Sequence, residues 1–210
     1  MNAKEVIADN RIVPVVVVDD PDRALKLTEI FLRTDLRCVE ITLRTPNALA
    51  CIEAVVNRFP EAVTGAGSIV TPKHLTAALQ AGIKFAVSPG ASDELLEAAH
   101  STPLFPGAAT PSEVMQLKSK GYTAVKFFPA EILGGVKAIR AISEPISGVD
   151  FFPTGGISEA NLADYLSFDR ICCVGGSWLA PRSDVENDAW DAIEARCISL
   201  QRILAELKAT

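Results

Sequence analysis

Residues 12–21, Ile12-Val13-Pro14-Val15-Val16-Val17-Val18-Asp19-Asp20-Pro21, decide the fold class. The run Ile12 to Val18 is apolar on consecutive positions rather than alternate ones, the pattern of a parallel strand buried on both faces. Asp20 then stands at an N-cap and Pro21 at the first helical position, so the strand passes into a helix within a few residues. The unit recurs along the chain. Further strand-like runs are Arg37 to Ile41, Ala62 to Gly65, Phe85 to Val87, Leu104 to Phe105, Thr123 to Phe127, Val149 to Phe152 and Ile171 to Val174. Thr45-Pro46, Thr71-Pro72 and Thr110-Pro111 repeat the cap, Glu113 completes a capping box after Thr110, and Ser158 is placed to cap a helix running through Leu166. Leu49, Ile52, Val56 and Phe59 form one apolar stripe, and Trp190, Ile193, Cys197, Leu200, Leu204 and Leu207 form another; both read as packing faces.

The count is eight strands and eight helices in strict alternation, behind a short N-terminal helix around Ala3 to Ala8. Over 210 residues this predicts an α/β chain folded as a lean (β/α)8 TIM barrel. A doubly wound open sheet is the alternative, but no G-x-G-x-x-G follows the first strand. With no Gly/Ser linker and no low-complexity stretch, residues 1–210 read as a single barrel domain.

Hydrophobic residues make up 49% of the chain and charged residues 22%, enough for a large core and against disorder. A net charge of −6 argues against nucleic-acid or anionic-membrane partners, which require a basic face. An anionic ligand would have to be held by a local device. No apolar run approaches the roughly 18 residues that span a bilayer, and the opening residues carry no signal peptide, so a soluble cytoplasmic protein is expected. The five cysteines include no C-x-x-C, and only two histidines exist. Neither a disulfide framework nor a metal site is indicated, and no cofactor is expected. Cys172 and Cys173 read as small hydrophobes on opposite faces of a buried strand.

In a barrel, chemistry belongs at the C-terminal ends of the strands. Lys126 stands out there, because every neighbour in Ala124-Val125-Lys126-Phe127-Phe128-Pro129-Ala130 except itself is apolar. A lysine in a central parallel strand cannot snorkel to water, and burial disfavours its cation. An amine so placed suits attack on a ketone to form a Schiff base. Glu40, in Cys38-Val39-Glu40-Ile41-Thr42-Leu43, is the matching oddity of opposite sign: a proton shuttle, or only the counter-ion that lets Lys126 stay buried. Arg44, four residues on, offers a bidentate grip on a carboxylate, and Ser68 a hydroxyl donor. Gly155-Gly156 and Gly175-Gly176-Ser177 follow consecutive strands, where backbone N–H groups freed by glycine can hold a phosphate; tight turns use Gly-Gly too.

Together, Val39–Thr45, Gly65–Ser68, Ser88–Gly90, Ala109–Glu113, Lys126–Glu131, Pro153–Ile157 and Gly175–Trp178 resemble the KDPG/KHG aldolase family, the 2-keto-3-deoxy-6-phosphogluconate aldolases of the Entner–Doudoroff route. The resemblance runs in order over most of the chain. It implies a class I, metal-independent aldolase on a (β/α)8 barrel, a homotrimer whose partners are otherwise small 2-keto acids. It implies Lys126 as Schiff-base nucleophile, Glu40 as general acid/base, and Arg44 with Ser68 on the pyruvyl carboxylate. Phe128 and Pro89 would wall the pyruvyl pocket, and Gly155, Gly156, Ser177 and nearby Thr154 would bind the 6-phosphate. Members of the family commonly carry threonine where Ser68 stands, so the hydroxyl is kept and a methyl lost.

Other readings are weighed by the same residues. A phosphate-binding barrel isomerase or synthase would use the glycine turns but leave Lys126 without a purpose. A non-catalytic phosphometabolite-binding barrel would need neither Lys126 nor Glu40. A metal-dependent pyruvate aldolase lacks histidines and clustered acids. An aldolase preferring 2-keto-3-deoxy-6-phosphogalactonate shares every feature above.

Overall fold

The computed structural model describes residues 3–7 and 10–209, the side chains of 208 and 209 excepted. Its strands are β1 (Ile12–Val16), β2 (Cys38–Thr42), β3 (Val63–Gly67), β4 (Phe85–Val87), β5 (Leu104–Phe105), β6 (Ala124–Phe127), β7 (Asp150–Pro153) and β8 (Val174–Gly176). Six pair in the order β5-β4-β3-β2-β1-β8, and β6 pairs with β7, every pair being parallel. Single bridges close the gaps: Gly107 to Lys126 joins β5 to β6, while Phe151 to Ile171 and Thr154 to Gly175 join β7 to β8. Each strand therefore neighbours the next and β8 returns to β1, the (β/α)8 barrel expected from the alternation.

The helices are α1 (Ala3–Val6), α2 (Pro21–Arg33), α3 (Ala48–Arg58), α4 (Pro72–Gln80), α5 (Asp93–Ala98), α6 (Pro111–Ser119), α7 (Gly135–Ser143), α8 (Leu162–Leu166), α9 (Arg182–Glu186) and α10 (Trp190–Ala209). Three caps form as the sequence predicts. Asp20 accepts from the N–H groups of Asp22 and Arg23, Thr71 from His74, and Thr110 and Glu113 close a reciprocal capping box. Two do not. The Thr45 hydroxyl donates instead to the Val18 carbonyl at 2.8 Å, tying two strand-end loops together, and α3 starts after Asn47. The Ser158 side chain makes no cap bond: its N–H donates to the Asn161 side chain at 2.8 Å and its carbonyl accepts from the Leu162 N–H at 3.0 Å, so it heads a turn from which α8 continues at Leu162. The short α9 before α10 breaks strict alternation, and Ala8 of the expected N-terminal helix lies outside the described residues.

β8 also differs from expectation. It runs through two glycines, and Cys172-Cys173 precede it rather than forming opposite faces of a strand. Gly175 is tolerated because its neighbour fills the missing side-chain space: a Cβ there would stand 2.3 Å from Thr154 Oγ1. All five cysteines are free thiols, and burial pushes the Cys38 and Cys173 thiols well above the ordinary range, so they behave as small apolar residues.

Strand alternation divides the core in two. Ile12, Val39, Ile41, Val125 and Phe151 face outward against α-helical residues such as Leu27, Ile52 and Leu200. Val13, Cys38, Phe85, Phe105, Ala124, Phe152 and Cys173 fill the barrel interior together with Ala3 and Ile7. Phe105 meets Phe85 and Phe152 edge-on, at centroid separations of 6.3 and 5.1 Å. This aromatic layer floors the C-terminal half of the barrel, where the charged residues sit. Among the described residues no helix is long and apolar enough to cross a membrane.

Candidate active site

Lys126 lies on β6 between Val125 and Phe127, both of which pack outward, so its own side chain enters the barrel. Glu40 lies on β2 between Val39 and Ile41 and does the same. The two meet above the phenylalanine floor, with Nζ 3.5 Å from Oε1 and side chains 7% and 0% exposed. Neither Glu40 oxygen has a hydrogen-bond partner within the described protein. An unpartnered buried carboxylate is costly, so its charge is answered by the lysine alone.

The glycines of β3 make this possible. A Cβ on Gly67 would stand 1.9 Å from Glu40 Oε1, and one on Gly65 would stand 2.3 Å from the Phe85 ring. The sequence lists both glycines at the end of a strand, yet only the packing shows that one houses the carboxylate. Small residues at alternate positions of an inward strand face are the signal that could have found it. Gly67→Ala is therefore expected to destabilise the protein by about 1–3 kcal/mol through overpacking and to displace Glu40 from Lys126. Gly90→Ala, where a Cβ meets nothing within 4 Å, serves as the neutral control in denaturant unfolding.

Lys126 is fixed at its backbone too: its N–H donates to Pro106 at 2.9 Å and its carbonyl accepts from Ala108 at 2.9 Å. Its ammonium position is 5.3 Å from the centroid of the Phe128 ring, within cation–π range. The segment after β4 packs beside this point, since a Cβ on Gly107 would stand 2.2 Å from the Pro89 carbonyl oxygen. The Ser88 hydroxyl, buried next to Pro89, donates to the Gly90 carbonyl and shapes that loop.

Arg44 and Ser68 sit on adjacent loops, held abreast by the Leu43 N–H donating to Gly67 at 2.9 Å. Arg44 is exposed, and its side chain enters no ion pair or hydrogen bond among the described residues. Ser68 is half-buried with φ at +59°, a left-handed conformation unfavourable to a β-branched side chain. Arg44, Ser68 and Ser177 make no hydrogen bond or ion pair with Lys126 or Glu40 among the described residues; they follow the C-terminal ends of β2, β3 and β8.

At the ends of β7 and β8, Thr154 is buried and its hydroxyl oxygen has no partner. Gly155 and Gly156 follow with φ of +103° and +77°, a turn open to glycine and strained for other residues. The helix expected to start at Ser158 starts only at Leu162, after an intervening turn, so the glycine turn itself is the candidate anion device. A Cβ on Gly155 would stand 3.5 Å from Phe128 Cδ2, so the wall beside Lys126 abuts this turn. Ser177 is exposed immediately after Gly176. A groove of about 710 Å³ lies at the opposite end of the barrel, around His100, Lys120 and Tyr122, and contains none of these residues. Among the described residues no three or more His, Cys, Asp or Glu side chains gather to hold a metal ion.

The family profile described as KDPG and KHG aldolase matches residues 3–196. An Escherichia coli protein named KHG/KDPG aldolase is 42% identical over 194 residues, covering 91% of each chain. The crystal structure of a Legionella pneumophila KDPG aldolase, with pyruvate captured at low pH as a covalent carbinolamine intermediate, superposes with TM-score 0.91 at 38% identity, covering 95% of this chain and 98% of that one. A Zymomonas mobilis 2-keto-3-deoxy-6-phosphogluconate aldolase crystallised with 3-phosphoglycerate gives TM-score 0.84 at 37% identity, over 92% and 94% of the two chains.

Proposed function

Because the chain belongs to the KDPG and KHG aldolase family, whose relatives are named as aldolases and so are carbon–carbon lyases, we propose that it cleaves 2-keto-3-deoxy-6-phosphogluconate to pyruvate and glyceraldehyde 3-phosphate through a Schiff base on Lys126. It also cleaves 4-hydroxy-2-oxoglutarate to pyruvate and glyoxylate. One observation carries the reading: a lysine and a glutamate, 3.5 Å apart and both buried, at the catalytic end of a barrel. The covalent carbinolamine of the Legionella relative supports it.

The Lys126 amine adds to the C2 ketone and, after loss of water, forms a protonated imine. Glu40 takes the proton of the C4 hydroxyl, directly or through water. The C3–C4 bond breaks, its electron pair moving into the imine to give an enamine, and the aldehyde leaves. Protonation at C3 and hydrolysis of the imine free pyruvate and restore the amine. The covalent intermediate divides a difficult carbanion step into easier ones. Arg44 and Ser68 hold the pyruvyl carboxylate, Phe128 and Pro89 wall it, and the orientation they impose is a further source of rate.

Thr154, Gly155, Gly156 and Ser177 hold the phosphate. The unpartnered Thr154 hydroxyl and the left-handed glycine turn supply donors in a chain whose net charge is −6. Ser177→Ala is expected to raise KM for the phosphorylated acid several-fold, roughly the worth of one hydrogen bond, with little change for 4-hydroxy-2-oxoglutarate. Equal effects in steady-state kinetics on both substrates would mean that the turns are structural.

The enzyme works as a cytoplasmic homotrimer. Ile132 and Leu133, 85% and 37% exposed in the loop after β6, supply apolar surface for such an assembly. The test of the mechanism is chemical. Incubation with pyruvate and borohydride should fix one three-carbon adduct, found by peptide mass on Lys126; an adduct on another lysine, or none, overturns the mechanism.

A further inference from the structure

The loop leading from β6 into α7 is fastened to the turn after β7. The Ala130 N–H donates to the Thr154 carbonyl at 2.9 Å, and the Glu131 N–H to the Gly155 carbonyl at 3.1 Å. The Glu131 side chain lies against the same turn: a Cβ on Gly156 would stand 2.6 Å from its Cβ and 2.8 Å from its Cγ. Its carboxylate accepts a hydrogen bond from the hydroxyl of Tyr165 on α8, which is 1% exposed. Gly135, with φ at +60°, leaves room for this contact, since a Cβ there would stand 2.8 Å from Glu131 Oε1 and 3.0 Å from the Tyr165 hydroxyl. Burial, then the bond to Glu131, pushes the Tyr165 phenol up from its ordinary value, so it remains a donor.

Helix capping does not explain this contact. The N-cap of α7 is Gly134, without a side-chain bond. Nor is Glu131 in an ion pair among the described residues. A carboxylate beside a turn that receives a phosphate is electrostatically unfavourable, and what it gains in return is a rigid link between two loops and a buried phenol.

We propose that Glu131 and Tyr165 are positioning residues that clamp the Gly155-Gly156 turn in the geometry that receives the substrate phosphate, and so set the preference for phosphorylated over unphosphorylated keto acids. Neither residue touches the reacting atoms. The proposal rests on the reading above in which that turn binds the phosphate.

The experiment compares kcat and KM on 2-keto-3-deoxy-6-phosphogluconate and 4-hydroxy-2-oxoglutarate for the wild type, Glu131→Ala, Glu131→Gln and Tyr165→Phe. Pyruvate–borohydride labelling of Lys126 is measured in each. Glu131→Ala and Tyr165→Phe should raise KM for the phosphorylated acid about tenfold, the scale of one charge-assisted hydrogen bond, while kcat, labelling and the unphosphorylated substrate change less than about twofold. Glu131→Gln, which still accepts from the phenol, should restore most of the loss. Equal effects on the two substrates, or no effect on either in a wild type that labels at Lys126, overturn the clamp and leave the Schiff-base mechanism standing. A wild type that does not label at Lys126 overturns both.

Discussion

Lys126→Met should eliminate both the pyruvate–borohydride adduct and turnover, with kcat falling by at least about 10⁴-fold, if Lys126 is the covalent nucleophile proposed above. Among the described residues Lys126 is the only buried lysine, so no second amine is enclosed beside Glu40 to replace it. Breaking a buried ion pair from one side also destabilises by about 3–5 kcal/mol, so loss of activity must be separated from loss of fold. Lys126→Arg makes that separation. It keeps a cation beside Glu40, but a guanidinium forms no imine, and it should match the methionine variant in activity while unfolding at higher denaturant. Turnover in folded Lys126→Arg above about 10⁻³ of wild type would mean that chemistry proceeds without the imine.

Glu40→Gln separates the second role from the first. The amide fills the same space beside Gly67 and removes the base, so kcat should fall by about 10²–10⁴-fold, the usual contribution of a positioned acid–base group. The adduct at Lys126 should still form, slowly, because attack on the ketone needs the amine rather than the carboxylate. If Glu40→Gln instead unfolds the protein while the folded fraction keeps its specific activity, Glu40 is only the counter-ion that allows Lys126 to be buried. Circular dichroism and single-turnover labelling on the same samples distinguish the two outcomes.

Much of this site was legible in the primary structure because Lys126 and Glu40 break apolar runs. A charge in such a run is conspicuous whatever the fold, since burial without use is costly. Their partnership was not legible. They are 86 residues apart in sequence and come within 3.5 Å only because β2 and β6 face one another across the barrel. The same holds for Gly67, whose role depends on a side chain from the neighbouring strand, and for Glu131, whose contacts come from the loop after β7 and from α8. Arg44, Ser68 and Ser177 were candidates from their chemistry and from motif resemblance, and the structure adds their place after β2, β3 and β8 and the left-handed backbone of Ser68.

What the residues settled without help from the fold was local or periodic. Consecutive apolar runs specify buried parallel strands, and Asp20, Thr71 and Thr110 capped their helices as expected because each bonds within three residues of itself. Thr45 carries a similar signal and does not cap, since Val18 offered its hydroxyl another partner, while Ser158 heads the turn into α8 through its backbone carbonyl rather than its side chain. Tertiary structure alone decided that β8 runs through two glycines, that α9 interrupts the alternation, and that a lysine, a glutamate and a glycine turn share one end of the barrel. The cause is range: dihedral preference and capping act over a few residues, whereas closing the barrel brings together groups whose separation along the chain carries no trace of their distance in space.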